Sequence, residues 1–217
     1  SVAFGYATKE SPEEEMEKVR QQAEEKMYRH KMLEYKSLRS GLIASFKRTM
    51  LEKSYETEEH GERMEELSRR LGKVLDLPPE DLVDLQLLSA LHDVGKISID
   101  KDILLKTDPL TGEDWKEIKK HPEVGYRILR SSPDLLHIAD YVLYHHERWD
   151  GSGYPKGLKG EEIPLLSRVI AVVDAYDAMT QDRGYRPAMT KKQAASVISR
   201  CAGSQFDPRV AVSFVDK

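Results

Sequence analysis

Four of the seven histidines sit beside, or one helical turn from, an acid or another histidine: His60 after Glu56, His92 before Asp93, and the pair His145-His146. Imidazole nitrogens and carboxylate oxygens are the ligand set of divalent transition metals, so the clustering points first to metal chemistry. Glu56 and His60 are spaced i, i+4, which on a helix puts both on one face, as two ligands of one metal cluster require. Taken alone, the same spacing equally describes a solvated charged face. His92-Asp93 follows the run Leu87-Leu88-Ser89-Ala90-Leu91, where an unpaired imidazole and carboxylate would be costly to bury. A metal offsets that cost, and so would a buried His-Asp hydrogen bond. Lys96, four residues after His92, could neutralise a phosphate or a developing alkoxide, or could complement a helix C-terminus. Tyr154-Pro155, downstream of His145-His146, could form a wall beside such a centre or could rigidify its own loop. His30 and His137 lie outside this grouping and read as solvated or packing residues.

The elements that must hold these residues read as helices. Ser11-Pro12-Glu13-Glu14 supplies an N-cap, a proline at the first helical position and a capping-box acid, opening a helix to the high thirties along Met16, Val19, Ala23 and Met27. The eight residues before it, Ser1 to Thr8, read as one short strand with no partner nearby. Leu42, Ile43, Phe46 and Met50, then Met64, Leu67, Leu71 and Val74, continue an amphipathic series. Pro78-Pro79-Glu80-Asp81 starts a helix through Leu82, Leu85, Leu88 and Leu91 that ends near Gly95, placing His92 and Asp93 in its last turn. Thr111 with Asp114, Ser132 with Pro133, Thr190, and Asp207-Pro208 are further helix starts. Between about Arg148 and Pro164, six glycines and prolines prevent a regular element, and irregular stretches of that length in compact domains are usually functional or disordered.

Composition narrows the class. One third of the residues are charged and the mean hydropathy is −0.59, which with long runs free of Gly and Pro describes a mostly helical protein, and the expectation is an all-α fold. The single cysteine, Cys201, permits neither an internal disulfide nor a thiolate zinc site and reads as a small buried apolar residue. A net charge of −4 argues against binding a nucleic acid polymer while leaving room for a local cationic pocket. No segment approaches the roughly 18 apolar residues of a membrane helix and no secretory signal opens the sequence, so a cytoplasmic location is expected, or a cytoplasmic portion if a longer protein is membrane-anchored.

The succession His92-Asp93-Val94-Gly95-Lys96, His121-Pro122, His145-His146-Glu147 through Gly153-Tyr154-Pro155, and Val173-Asp174-Ala175-Tyr176-Asp177-Ala178-Met179-Thr180 resembles the HD-GYP family. The likeness runs from about Glu56 to Asp207-Pro208. It implies a helical HD-domain bundle with an irregular Gly-Tyr-Pro loop over residues 41–217, in which His60, His92, Asp93, His121, His145, His146 and Asp174 bind metal and Asp93 bridges two ions. Some members hold a third metal through a glutamate four residues before the first histidine ligand, the position of Glu56. It further implies that Lys96 stabilises or protonates the leaving 3′ oxygen and that Tyr154, Arg183 and Arg186 meet the substrate; Gly184 stands where a proline is common. Phe4-Gly5-Tyr6-Ala7 and Ala23-Glu24-Glu25-Lys26-Met27-Tyr28 are similar to the end of a GGDEF domain, which makes residues 1–40 the C-terminal remnant of such a domain plus a connector helix; a plain coiled N-terminal helix is the alternative.

Two octahedral ions offer roughly twelve coordination positions, of which the seven residues fill about eight, leaving room for water and phosphate oxygens. Imidazole and carboxylate without thiolate favour two or three ions of Fe or Mn, with Zn or Ni as alternatives. The implied reaction is in-line hydrolysis of cyclic di-GMP to pGpG and on to GMP, within bacterial signalling. Its rivals are a phosphodiesterase for another cyclic dinucleotide such as 3′,3′-cGAMP, a catalytically silent cyclic dinucleotide receptor, and a general nucleotide phosphohydrolase, the last disfavoured by the Gly-Tyr-Pro loop. The implied partners are the cyclic dinucleotide, an upstream GGDEF or sensory module, and a second copy in a homodimer.

Overall fold

Residue patterning that reads as helix is helix in the computed structural model, which describes residues 5–9, 11, 15–53, 57–182 and 187–216, and the backbone alone for 28–40. Ten α-helices occur among the described residues: α1 Met16–Lys53, α2 Glu58–Val74, α3 Pro79–Leu91, α4 Lys101–Leu104, α5 Gly112–Ile118, α6 His121–Arg130, α7 Ala139–Leu143, α8 Leu165–Thr180, α9 Lys191–Arg200 and α10 Pro208–Val215. Short 3-10 turns lie at Val94–Ser98, Leu136–Ile138 and Gly160–Glu162. The all-α expectation is met.

The chain divides into two units, Ser1–Ser45 and Phe46–Lys217. In the first, Gly5 approaches the backbone of α1 so closely that a Cβ there would run into the Ala23 carbonyl and Met27. The expected strand over Ser1–Thr8 is not formed where it is described: residues 5–9 have no regular structure, and no strand is present among the described residues to pair their backbone groups. Ser1 to Phe4 lie outside the described residues. Helix α1 is also longer than its expected end in the high thirties: no proline interrupts it, and it runs through Gly41 into Leu42 to Met50.

In the second unit, local signals set the helix ends. Thr57 caps α2 by accepting from the His60 N–H at 3.2 Å, Thr111 and Asp114 form a reciprocal capping box on α5, Thr190 and Gln193 do the same on α9, and Asp207 caps α10. Ser132-Pro133 does not open a helix; those residues form turns, and the chain re-enters helix only through the 3-10 turn at Leu136 and α7. Helix α3 stops at Leu91, earlier than expected, so His92 is its C-cap and Asp93 heads the 3-10 turn that carries Lys96.

Helix α8 is the centre of the bundle. Leu166, Val169, Ile170, Val172, Val173 and Met179 are all buried on it, more than one face of a helix can supply, and α2, α3, α7, α9 and α10 pack around it. Met64 and Leu71 of α2 and Leu85, Leu88 and Leu91 of α3 are buried where these two helices pack on each other and on α8. The 3-10 turn at Val94–Ser98 packs on α6, and the contact is backbone to backbone. A Cβ on Gly95 would collide with the His121 carbonyl and lie 2.6 Å from the Gly125 nitrogen. Only glycine at 95 lets Asp93 and Lys96 come level with His121. Gly95→Ala is therefore expected to destabilise the protein by about 1–3 kcal/mol in urea unfolding, as overpacked interiors do, because backbone on both sides leaves nothing flexible to yield.

Candidate metal centre

All seven metal ligands named from the resemblance, Glu56 apart, fall into two groups whose donor atoms lie within 4.8 Å of one another: Asp93, His121, His145 and His146 in one, His60, His92 and Asp174 in the other. The residues come from five places in the chain. His60 stands on α2, His92 and Asp93 at the end of α3, His121 on the first turn of α6, His145 and His146 just after α7, and Asp174 on α8. Asp93 joins the groups. Its Oδ1 lies 3.1 Å from His121 Nε2 and 3.9 Å from His145 Nε2, while its Oδ2 lies 3.1 Å from His92 Nε2 and accepts from Lys96 Nζ at 2.6 Å.

The backbone sets the direction of the rings. His92 Nδ1 is 3.1 Å from the Ser89 carbonyl, His121 Nδ1 is 2.7 Å from the Ile118 carbonyl, and His145 Nδ1 is 2.6 Å from the Val142 carbonyl. Each partner lies three residues upstream, at a helix end or turn whose carbonyl has no helical partner to spare. A carbonyl only accepts, so each Nδ1 carries the proton and each Nε2 turns an unprotonated lone pair inward. The consequence is severe in a buried site. His121 Nε2 and His145 Nε2 face each other at 3.3 Å, and two of these lone pairs also face Asp93 oxygens at 3.1 Å. Acceptor facing acceptor at hydrogen-bond distance requires a cation between them, and anchored Nδ1 with inward Nε2 is how metal-ligating histidines are oriented.

Electrostatics favours a metal over protons as that cation. Burial, aided by the neighbouring histidines, holds the His145 imidazole well below its ordinary range, and burial with His121 pushes His146 down to about 3. Both rings are neutral at neutral pH, the form that ligates. Burial pushes the Asp93 carboxyl up, but Lys96 foremost, with the imidazoles of His92 and His121 beside it, outweighs burial and holds the carboxyl well below the usual range. A cluster of imidazole nitrogens around an ionised carboxylate suits a divalent ion of the Fe, Mn, Zn or Ni type.

Several residues important to the centre were not assigned a role from sequence. Asp177 accepts from His60 Nδ1 at 2.7 Å and from Arg63 Nε at 2.6 Å, so it orients the His60 ring as the carbonyls orient the others. Burial opposes ionisation of Asp177, yet His60 and Arg63 together lower its pKa. Its signal was present: Asp177 falls one turn after Asp174 in the apolar helix α8, where a lone carboxylate would be costly. Glu147, 4% exposed, accepts from the backbone N–H groups of Lys156, Gly157 and Leu158 at 2.6–3.1 Å and folds the Gly-Tyr-Pro loop back on itself. Trp149 and Asp150 tie the same loop to the Gln205 and Ser204 carbonyls, so this stretch is ordered.

The loop delivers Tyr154 to the cluster, where its ring stacks on His146 with centroids 5.0 Å apart. Burial and the Asp93 charge push its phenol pKa up, which keeps the hydroxyl protonated as a donor. Glu56, Arg183 and Arg186 lie outside the described residues, and α2, which carries His60, begins only at Glu58. The side chain of His30 also lies outside them. His137 is half-exposed, 3.3 Å from Asp84, and remote in sequence and contact from the cluster. Cys201, expected buried, is half-exposed at the C-cap of α9.

Two outcomes follow from this geometry. Asp177→Ala should lower the affinity of chelator-stripped protein for Mn or Zn by about 10–100-fold in equilibrium dialysis, the usual cost of losing a partner that orients a ligand. Lowering pH should destabilise the metal-free protein across the interval from 6.5 to about 3, because there an unfolded histidine binds a proton that the buried His146 refuses. The urea midpoint of chelated protein should accordingly fall between pH 7 and pH 5, and a flat profile would contradict the neutral-imidazole assignment.

The HD domain pattern matches residues 45–210. A cyclic di-GMP phosphodiesterase of Thermotoga maritima is 40% identical over 162 residues, covering 74% of this chain and 44% of the relative. A 3′3′-cGAMP-specific phosphodiesterase of Vibrio cholerae is 33% identical over 181 residues, covering 82% of this chain and 35% of the relative. The chain thus spans less than half the length of these curated relatives. Among solved structures, a cyclic GMP-AMP specific phosphodiesterase of Vibrio cholerae superposes with a TM-score of 0.62 at 22% identity, over 82% of this chain and 48% of that one, a likeness of fold. Since the matched segment takes in every helix that brings a residue to the cluster, the chain belongs to the HD domain family.

Proposed function

We propose that the chain is a metal-dependent phosphodiesterase of the HD-GYP type that hydrolyses cyclic di-GMP, opening it to linear pGpG and cutting that to GMP. The observation that carries the reading is the inward convergence of unprotonated Nε2 atoms on the Asp93 carboxylate, with the Asp93-paired ammonium group of Lys96 and the aromatic ring of Tyr154 beside it. The names of relatives at 33–40% identity support a cyclic dinucleotide as the substrate class.

His60, His92, Asp93, His121, His145, His146 and Asp174 would hold two ions, with Asp93 offering one oxygen to each group; Glu56 is the proposed ligand of a third. The ions, when bound, polarise a phosphate and supply a water acidic enough to act as nucleophile near neutral pH. Lys96, held at 2.6 Å by Asp93, is positioned to meet the leaving 3′ oxygen and to return a proton to it. Tyr154 supplies a flat, hydroxyl-bearing wall for a base or ribose, and Arg183 and Arg186 are the proposed guanidinium contacts to phosphate or a guanine edge. Residues 1–40 are read as the end of a GGDEF domain with its connector, working on the cytoplasmic side of the membrane; no described helix is long and apolar enough to cross one.

A second substrate, 3′,3′-cGAMP, is favoured by one specific observation, the cGAMP-specific relative at 33% identity, since a metal cluster does not read bases. One experiment separates the readings. The chain, loaded with Fe or Mn with and without oxygen, is given cyclic di-GMP and 3′,3′-cGAMP side by side, and products are resolved by chromatography. Faster formation of pGpG than of the cGAMP product is expected, and Glu56→Ala should slow the step from pGpG to GMP more than the ring opening. Tight binding of either dinucleotide with no product from the fully loaded protein would make it a receptor and overturn the enzymatic reading.

A further inference from the structure

Three lysines lie on α5 and the turn that follows it, and they are not equivalent. Lys116 is paired with Glu113 at 2.6 Å and Lys120 with Glu117 at 2.5 Å, each three residues back. Lys119 has Lys116 and Trp115 at those spacings, so its own helix offers no carboxylate, and it makes no ion pair among the described residues. Its ammonium lies instead over the Tyr154 ring, 5.3 Å from the centroid, and Tyr154 in turn stacks on the cluster residue His146. A solvated cation over a tyrosine ring gains little, about 0.5–1 kcal/mol, and leaves its N–H donors unspent. The position is tied to the metal centre: Lys119 is the C-cap of α5, between Ile118, whose carbonyl anchors the His121 ring, and His121 itself.

We infer that Lys119 binds the second phosphate of the cyclic dinucleotide, the one that is not being hydrolysed. The inference rests on the phosphodiesterase reading above. Cleavage needs one phosphate at the ions and Lys96; the other phosphate keeps its negative charge and must be matched beyond the cluster. Lys119 is an exposed cation over the Tyr154 ring that stacks on His146, it makes no ion pair among the described residues, and an ammonium is a compact point charge suited to a phosphate oxygen. Lys119 is thus a determinant of substrate choice, favouring diesters with two phosphates over those with one.

The test compares two substrates in metal-loaded full chain: cyclic di-GMP, with two phosphates, and bis(p-nitrophenyl) phosphate, with one. In Lys119→Ala the ratio of kcat/KM on cyclic di-GMP to that on bis(p-nitrophenyl) phosphate should fall about tenfold, the worth of one charge-assisted contact, with the loss in KM rather than kcat. Lys119→Arg should recover most of it. A ratio within twofold of wild type, including the case in which both activities fall together because His121 or Tyr154 has shifted, overturns the assignment. A wild-type protein that cleaves the single diester but no cyclic dinucleotide overturns the phosphodiesterase reading itself, and this one with it.

Discussion

Every notable feature of the centre depends on one constraint: three buried histidines give their Nδ1 protons to backbone carbonyls three residues upstream, and a fourth gives its proton to Asp177. Once those bonds are made, the Nε2 lone pairs have nowhere to point but inward, at one another and at Asp93. In water such an arrangement would be relieved by solvent; in an interior where His92, Asp93, His121 and His145 are at most 5% exposed, it is repulsive until a cation enters. The protein is therefore built around a positive charge that its side chains alone do not provide, since Lys96 satisfies only one oxygen of Asp93.

The bundle serves this constraint. Helix ends, rather than helix middles, carry most of the cluster, because only a terminus leaves a carbonyl free to accept from a ring on the same stretch of backbone. His92 closes α3, His121 opens α6, and His145 follows α7. Close packing of the Gly95 turn on α6 brings two of these ends within reach, and the apolar girth of α8 lets it run through the middle of the bundle and still present Asp174 and Asp177 on one edge. The Gly-Tyr-Pro loop has no regular structure of its own, yet Glu147 and the Gln205 and Ser204 carbonyls occupy its backbone donors, so Tyr154 is held against His146 as firmly as if it stood on a helix. A ring held there can in turn carry a cation, and Lys119 lies 5.3 Å from its centroid.

Much of this was legible in the order of residues. The capping boxes at Thr111 and Thr190, the proline start of α3, the all-α class, and the grouping of histidines with acids all follow from local chemistry, and local chemistry is what a linear reading samples well. The strand expected at the N-terminus did not form over residues 5–9, because a strand is defined by its neighbour and β-type residues alone do not supply one. The early end of α3 was also missed: no helix-breaking residue stands between Leu91 and Gly95, and only the packing of Gly95 on α6 shows why the helix gives way to a tighter turn.

By itself the sequence determined which residue types could form a metal centre and that helices would carry them, since ligand chemistry and helical periodicity are properties of neighbours in the chain. Which nitrogen of each ring faces the cluster, that Asp93 turns one oxygen to each group, that Asp177 rather than a solvent molecule holds His60, and that Lys119 reaches Tyr154 were decided by the tertiary structure. Those facts join residues 24 to 117 positions apart, or depend on the direction of a carbonyl, and neither is encoded in spacing along a chain.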